Sequence, residues 1–254
     1  MNDCYEIHAI RYGYLAGRTL SQVLIGGLAG EQGERQVGVA YHVFVLKGPG
    51  GPFVFDTGAD RAAMQARGRD LTVPLGEGLA ELGVDPAGAG VALVQTHLHW
   101  DHAGNHDLLG AARVHLQRRE MAYAATRGLA DPWLRAGYDA ADIARMAARI
   151  AAGQVALHDG DVVLGPGLSL HHVGGHTDGL MLARVRTRRG WMVLAGDAVA
   201  YRENLARRTP FPHLFHVGDA LAAFDRARAL ADHAALVIPG HDPEITPELI
   251  TRLD

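Results

Sequence analysis

The sequence predicts an α/β fold in which two β-sheets pack face to face beneath outer layers of helices. Three observations carry this expectation. Short apolar or alternating runs recur in clusters, several of them close on a glycine-containing turn, and stretches of helical period separate the clusters into two roughly matching halves. No low-complexity tract, charge run or linker interrupts the 254 residues, so one domain over 1–254 is expected.

The first half opens with "YEIHAIRY" (5–12) and "VGVAYHVFVL" (37–46), which alternate or are rich in β-formers, and with "GPFVFDTG" (51–58), an apolar run closed by a turn signal. Between the first two runs, residues 13–36 are glycine-rich and aperiodic. A loop that long inside a compact domain tends to be functional or mobile. Helical patterns at 59–66 and 77–83 lead to a buried strand at 91–95 and a further strand at 112–117. Two helix-like stretches follow between 118 and 152, around "GLADPWLRAGYD". The second half places strands near 154–158, 161–164, 168–173, 180–187 and 191–196, a helix near 217–231, a buried strand at 235–240 and a short closing helix.

Composition removes several classes of function. With 48% hydrophobic and 20% charged residues the chain has the material for its own core. A net charge of −4 with interspersed signs offers no footprint for a phosphate backbone, so no nucleic-acid partner is expected. The lone cysteine, Cys4, cannot form an internal disulfide, and the start "MNDCYEIHAI" lacks the basic and apolar regions of a secretory signal. No apolar run reaches the roughly 18 residues of a membrane-spanning helix. A cytoplasmic protein that does not cross a membrane is the expectation. The unusual quantity is 15 histidines.

Their placement is informative. "HLHWDH" sets His97, His99, Asp101 and His102 directly after the strand at 91–95, and a turn at a strand end lets closely spaced side chains converge on one point. Clustered imidazoles without a metal would repel one another when protonated and gain no packing. Three further strands end in a turn with a ligand-type residue: His176 in "HHVGGHTDG", Asp197 in "LAGDAV" and His241 in "VIPGHD". One edge of the sheets is expected to gather all seven. His8, His42, His115 and His158 stand alone and are expected to be structural or surface residues.

At these residues the chain resembles the metallo-β-lactamase-fold hydrolases, whose HxHxDH signature stands here as His97-x-His99-x-Asp101-His102, with matching motifs at His176, Asp197 and His241. The resemblance implies an αββα sandwich of two mixed sheets with helices on both outer faces. It also implies two divalent metal ions, the first held by His97, His99 and His176, the second by Asp101, His102 and His241, with Asp197 between them. The familiar β-lactamase branch places a cysteine at the second site, and Cys4 lies far from these motifs. Glyoxalase II enzymes carry a helical domain after the last histidine, where only 13 residues, 242–254, remain here. The N-acyl homoserine lactonase-like branch is the most similar in length, ligand set and segments such as "VGGHTDG" and "IPGHD". Its catalytic tyrosine falls three residues after the bridging aspartate. Ala200 stands there in this chain, and Tyr201 is one step further.

That resemblance implies a metal-dependent hydrolase that opens lactones, N-acyl homoserine lactones being the quorum-quenching case, by attack of a metal-bridging hydroxide. Asp101 is expected to carry the proton from nucleophile to leaving oxygen, and Tyr201, where it reaches the site, to hydrogen-bond the carbonyl. Zinc suits the imidazole and carboxylate donors, and iron, manganese or cobalt fit the same set. Asp56 in "FDTG" and Thr177 are candidates for holding the imidazoles from behind. Substrate shape must come from loops, with segment 13–36 and Met121, Tyr123, Trp133 and Tyr138 as candidate pocket walls or core residues. A homodimer is common in the resembled group. Another ester, thioester or cyclic amide on the same metals, or a mononuclear iron persulfide dioxygenase, stays open as an alternative.

Overall fold

A computed structural model describes residues 4–88, 90–247 and 250. Among the described residues, twelve strands form two mixed sheets. The first sheet contains β1 (Glu6–Leu15), β2 (Val39–Lys47), β3 (Phe53–Phe55), β4 (Asp70–Leu71), β5 (Ala92–Val94), β6 (Arg113–Gln117) and β7 (Val155–His158), in the spatial order β4-β1-β2-β3-β5-β6-β7. The second contains β8 (Val162–Gly165), β9 (Leu168–His172), β10 (Met181–Thr187), β11 (Gly190–Gly196) and β12 (Val237–Pro239), in the order β12-β11-β10-β9-β8. In the first sheet β1, β2 and β3 run antiparallel, and β3, β5, β6 and β7 run parallel. In the second, β8 to β11 are antiparallel and β12 joins β11 in parallel.

Strand β2 shows why the sheets stack. Val39, Tyr41, Val43 and Val45 enter the core on the outer side of the first sheet, with Leu79, Ile143 and Met146 from its helices, while Phe44 and Leu46 enter the core between the sheets. That period of two buries both faces. Leu168, Leu170, Met181 and Leu194 of the second sheet close the inner core. On the far side, Leu182 and Val193 pack against Ala223, Phe224 and Ala227 of the helix Val217–Leu230. The result is the expected helix–sheet–sheet–helix sandwich. Each fully buried aliphatic or aromatic side chain contributes about 1.5–3 kcal/mol.

Expected and observed elements agree to within a few residues for the long runs and diverge where periodicity was weak. Segment 13–36 is not one loop. It begins as the end of β1 and holds a 3₁₀ turn at Leu20–Val23 and a short helix at Glu31–Glu34. Strand β4 and the helices Trp100–Ala103, His106–Leu109 and Arg202–Arg207 were not expected, because two to six residues are too few to display a period. The short closing helix falls largely outside the described residues. No helix among the described residues is long and apolar enough to cross a membrane.

Candidate metal centre

Four strands deliver the seven sequence-predicted ligands at their C-terminal ends. His97 and His99 follow β5, with Asp101 and His102 in the short helix Trp100–Ala103; His176 follows β9, Asp197 follows β11 and His241 follows β12. Among the described residues, ligand-type atoms within 4.8 Å of one another form three groups: His97, His99 and His176; His97, His102 and Asp197; and Asp101, His102 and His241. Asp197 stands between the outer groups. Its Oδ2 lies 3.2 Å from both His176 Nε2 and His241 Nε2, while its Oδ1 lies 3.3 Å from His102 Nε2 and 3.2 Å from His241 Nε2. A single carboxylate thus faces both ends of the cluster. Gly240 permits this, since a Cβ there would meet the Gly196 carbonyl carbon at 2.7 Å and Asp197 Oδ1 at 3.0 Å.

The outer nitrogens of the imidazoles show what the inner ones offer. His176 Nδ1 donates to the His213 carbonyl at 2.6 Å, His241 Nδ1 to the Ala40 carbonyl at 2.9 Å, and His102 Nδ1 to Asp56 Oδ2 at 2.8 Å. A neutral imidazole that donates from Nδ1 presents a lone pair at Nε2. His176 Nε2 nevertheless sits 2.8 Å from His99 Nδ1, and His97 Nε2 sits 3.1 Å from the same atom. His102 Nε2 and Asp197 Oδ1 are buried without a hydrogen-bond partner. Converging lone pairs and orphaned acceptors in a buried site are the donor set a cation satisfies, so the residues fit a divalent metal. Burial and the neighbouring imidazoles push His97 and His99 well below the ordinary histidine range, which favours the neutral form a metal needs. Burial alone would raise Asp197, but His241, His102 and His176 hold it well below the usual carboxylate range.

A layer of polar residues holds the ligand loops, and only part of it was expected. Asp56, with φ +66° at the end of β3, accepts from His102 and also from Thr96 N at 2.7 Å and Thr96 Oγ1 at 2.8 Å. Its expected place behind an imidazole is where the structure puts it. Thr177 is different: its hydroxyl donates to Glu120 Oε2 at 2.7 Å. Glu120, which sequence reasoning missed, is fully buried and also accepts from Leu98 N at 2.9 Å and Gly179 N at 3.1 Å. It ties the "HLHWDH" loop to the loop of His176. Burial pushes its carboxyl up to about 7 although these donors favour the anion. A lone glutamate at a helix start carries no sequence signal for this task. Gln95, just before the motif, donates to the carbonyls of His97 and His102 at 2.7 and 2.9 Å.

A cavity of about 520 Å³ opens over the cluster. Asp101, His99, His176, Asp197 and His241 form its floor, and Leu15, Arg18, Gln22 and Val23 from segment 13–36 form part of its wall. Tyr201 does not line it. That tyrosine is buried against Leu20, Val23 and Leu24, its hydroxyl donates to the Gly38 carbonyl at 2.7 Å, and it begins the helix Arg202–Arg207. The expected carbonyl-binding role is therefore corrected, because the one extra residue after Asp197 turns the ring into the wall behind the cavity. Tyr41 lines the cavity instead, its ring 5.4 Å from His241. Of the other candidate wall residues, Tyr123 and Tyr138 are core and Met121 packs against it, while Trp133 is exposed and stacks on His213. Among the lone histidines, His42 is buried against backbone carbonyls, and His115 pairs with His158 at 3.0 Å.

Fold and centre together define a class. Residues 37–241 match the family model of the metallo-beta-lactamase superfamily, and the chain belongs to that superfamily. Within it, the chain is 31% identical over 169 residues to the N-acyl homoserine lactonase AttM of Azorhizobium caulinodans, a match that takes in 65% of this chain and 63% of that relative's length. The fold is similar to that of an AiiA mutant from B. thuringiensis with N-decanoyl-L-homoserine bound at its active site, with a TM-score of 0.75 at 22% identity over 94% of this chain and 93% of that one. It is also similar to AidC, a dizinc quorum-quenching lactonase, with a TM-score of 0.70 at 16% identity over 94% and 88% of the two chains.

Proposed function

We propose that this protein is a dinuclear metal-dependent hydrolase that opens cyclic esters, a class to which N-acyl homoserine lactones belong. The observation that carries the reading is Asp197, whose carboxylate stands within 3.3 Å of His176 from one ligand group and of His102 and His241 from the other. A mononuclear centre would leave Asp101, His102 and His241 without a task. The lactonase AttM, to which the chain is 31% identical over 169 residues, supports the substrate class.

His97, His99 and His176 would hold one cation and Asp101, His102 and His241 the other, with Asp197 shared; zinc suits these imidazole and carboxylate donors best. Two such ions supply a water activated near neutral pH and an electrophile for the ester carbonyl. The chain's own residues do the rest. Asp101 lies on the cavity floor with Oδ2 turned to His102 and His241, at 3.8 and 3.7 Å, which leaves its other oxygen to take a proton from the attacking water and return it to the leaving alkoxide. Tyr12 fixes that side chain's backbone by donating to the Asp101 carbonyl at 2.6 Å. The hydrogen bonds from His102, His176 and His241 to Asp56, His213 and Ala40 keep the inner nitrogens aimed at the centre before substrate arrives.

The test is zinc-reconstituted protein assayed by proton release and by mass gain of one water against simple γ-lactones and N-acyl homoserine lactones of graded acyl length. Ring opening that disappears with chelation and returns with zinc is expected. A protein that retains two metal equivalents and opens no lactone would sink the reading.

A further inference from the structure

The cavity over the metal centre has two unlike walls. One is aromatic and apolar, with Phe211, Pro212 and His213, the rings of Phe211 and His213 stacked at 6.2 Å. The other carries three guanidinium groups, Arg18, Arg67 and Arg69. Arg35, Arg119, Arg208 and others on the surface pair with carboxylates, but among the described residues Arg18, Arg67 and Arg69 form no ion pair.

Arg67, whose Nη1 donates to the Ala63 carbonyl at 3.5 Å, and Arg69 are placed by contacts that leave donors free. Arg67 lies over the Trp100 ring, 4.4 Å from its centroid, and Arg69 donates from Nε to the Tyr41 hydroxyl at 2.9 Å and from Nη1 to the Arg67 carbonyl at 2.5 Å. Tyr41 in turn stands with its ring 5.9 Å from Trp100 and 5.4 Å from His241. The Arg69 guanidinium therefore sits one aromatic ring, Tyr41, from His241, and that of Arg67 lies one ring further out, over Trp100. The carboxylates nearest to them on the cavity lining are Asp101 and Asp197, which face the metal centre. Two divalent cations outweigh two carboxylates, so the centre supplies these arginines with no counter-charge.

We infer that the substrate brings the counter-charge: a lactone with a second, anionic oxygen group, carboxylate or phosphate, on its ring or on a short arm. This rests on the lactone reading and narrows it. The ester bond lies over the metal centre, the apolar body lies against Phe211 and Pro212, and the anion lies one ring-width away, where planar guanidinium groups can each donate two hydrogen bonds to it. Tyr41 donates to the same anion, since its oxygen already accepts from Arg69 and its proton is free for a second partner. A neutral acyl chain would gain nothing from this wall and would have to desolvate it.

The experiment compares three γ-lactones on zinc-reconstituted protein, identical except for a γ-substituent that is a carboxylate, a phosphomonoester or a neutral carboxamide. A charge-assisted contact predicts that kcat/KM for at least one anionic lactone exceeds that for the carboxamide by about tenfold or more. The ratio is expected to fall by a similar factor in Arg18→Gln and in Arg67→Gln, and to recover partly in Arg18→Lys. Arg18 is exposed, so the first variant keeps its fold. The carboxylate and phosphate arms show which anion the wall prefers. Equal rates on all three lactones, or a ratio unmoved by either variant, would overturn the inference and leave the lactonase reading standing. If no lactone opens, calorimetric titration of the zinc protein with a dicarboxylate and its mono-amide decides the matter without turnover: equal affinities overturn the anion site, and a tenfold preference lost in Arg67→Gln supports it.

Discussion

His102 donates from Nδ1 to Asp56 Oδ2 at 2.8 Å, and this bond leaves its Nε2 buried, unpartnered and 3.3 Å from Asp197. One carboxylate at the end of β3 thus decides which nitrogen of a ligand from another strand faces the metal centre. An imidazole held by an acceptor at the far nitrogen is a better and better-aimed ligand.

Replacing Asp56 by Asn keeps the shape and removes the anionic acceptor. Metal affinity at the His102 side should fall by about 10- to 100-fold, read by chelator competition. Retention equal to that of the parent protein would show that Asp56 does not orient the ligand.

Asp197→Asn and His102→Ala each remove a donor from the middle of the cluster. Each should cost one metal equivalent by elemental analysis and lower ring opening by about 10²-fold or more, because several kcal/mol of transition-state stabilisation depend on both ions. The fold, by circular dichroism, should persist, since neither side chain is part of an apolar core cluster. Full activity with a single bound ion would end the dinuclear reading.

Glu120 accepts from Leu98 N, Thr177 Oγ1 and Gly179 N, so Glu120→Gln sets an amide N–H against at least one donor. The cost should be about 1–3 kcal/mol in urea unfolding, the range for a buried polar group left unsatisfied. Gly179→Ala should cost as much or more, because the added Cβ would meet the Glu120 backbone nitrogen at 2.1 Å. A neutral outcome for both would remove Glu120 as the tie between the two ligand loops.

His106 supplies a pH dependence. Burial, with Arg149 and Arg145 near it, lowers it from 6.5 to about 3, while its Nε2 meets Gln95 Oε1 at 3.1 Å. The folded state binds this proton more weakly than the unfolded state does. The stability it contributes is therefore complete above pH 6.5 and is lost as pH falls toward 3, by about 2 kcal/mol at pH 5. His106→Asn should flatten the stability profile between pH 6.5 and 5 in denaturant titrations. An unchanged slope would assign the acid sensitivity to other groups.

Tyr201→Phe separates two roles. With its hydroxyl on the Gly38 carbonyl, the loss should appear as about 1–3 kcal/mol of stability, and kcat of the metal-loaded protein should stay within a factor of about three. A large fall in kcat at unchanged stability would return Tyr201 to the chemistry.

The sequence alone determined the layers of this protein and singled out its seven candidate ligands. Alternation in "VGVAYHVFVL" and the apolar runs before His97, Asp197 and His241 are local properties, because strand period and turn chemistry are written in neighbouring residues. Seven donor-type side chains at strand ends needed no coordinates to stand out. What tertiary structure decided was everything set by contacts between distant segments. Glu120 reaches loops 22 and 57 positions away, Asp56 meets His102 across 46, and Tyr201 bonds Gly38 across 163. No local period encodes such pairings. They follow from how the two sheets and their loops close on each other, and that closure turned Tyr201 into the wall and brought Tyr41 and three unpaired arginines to the cavity.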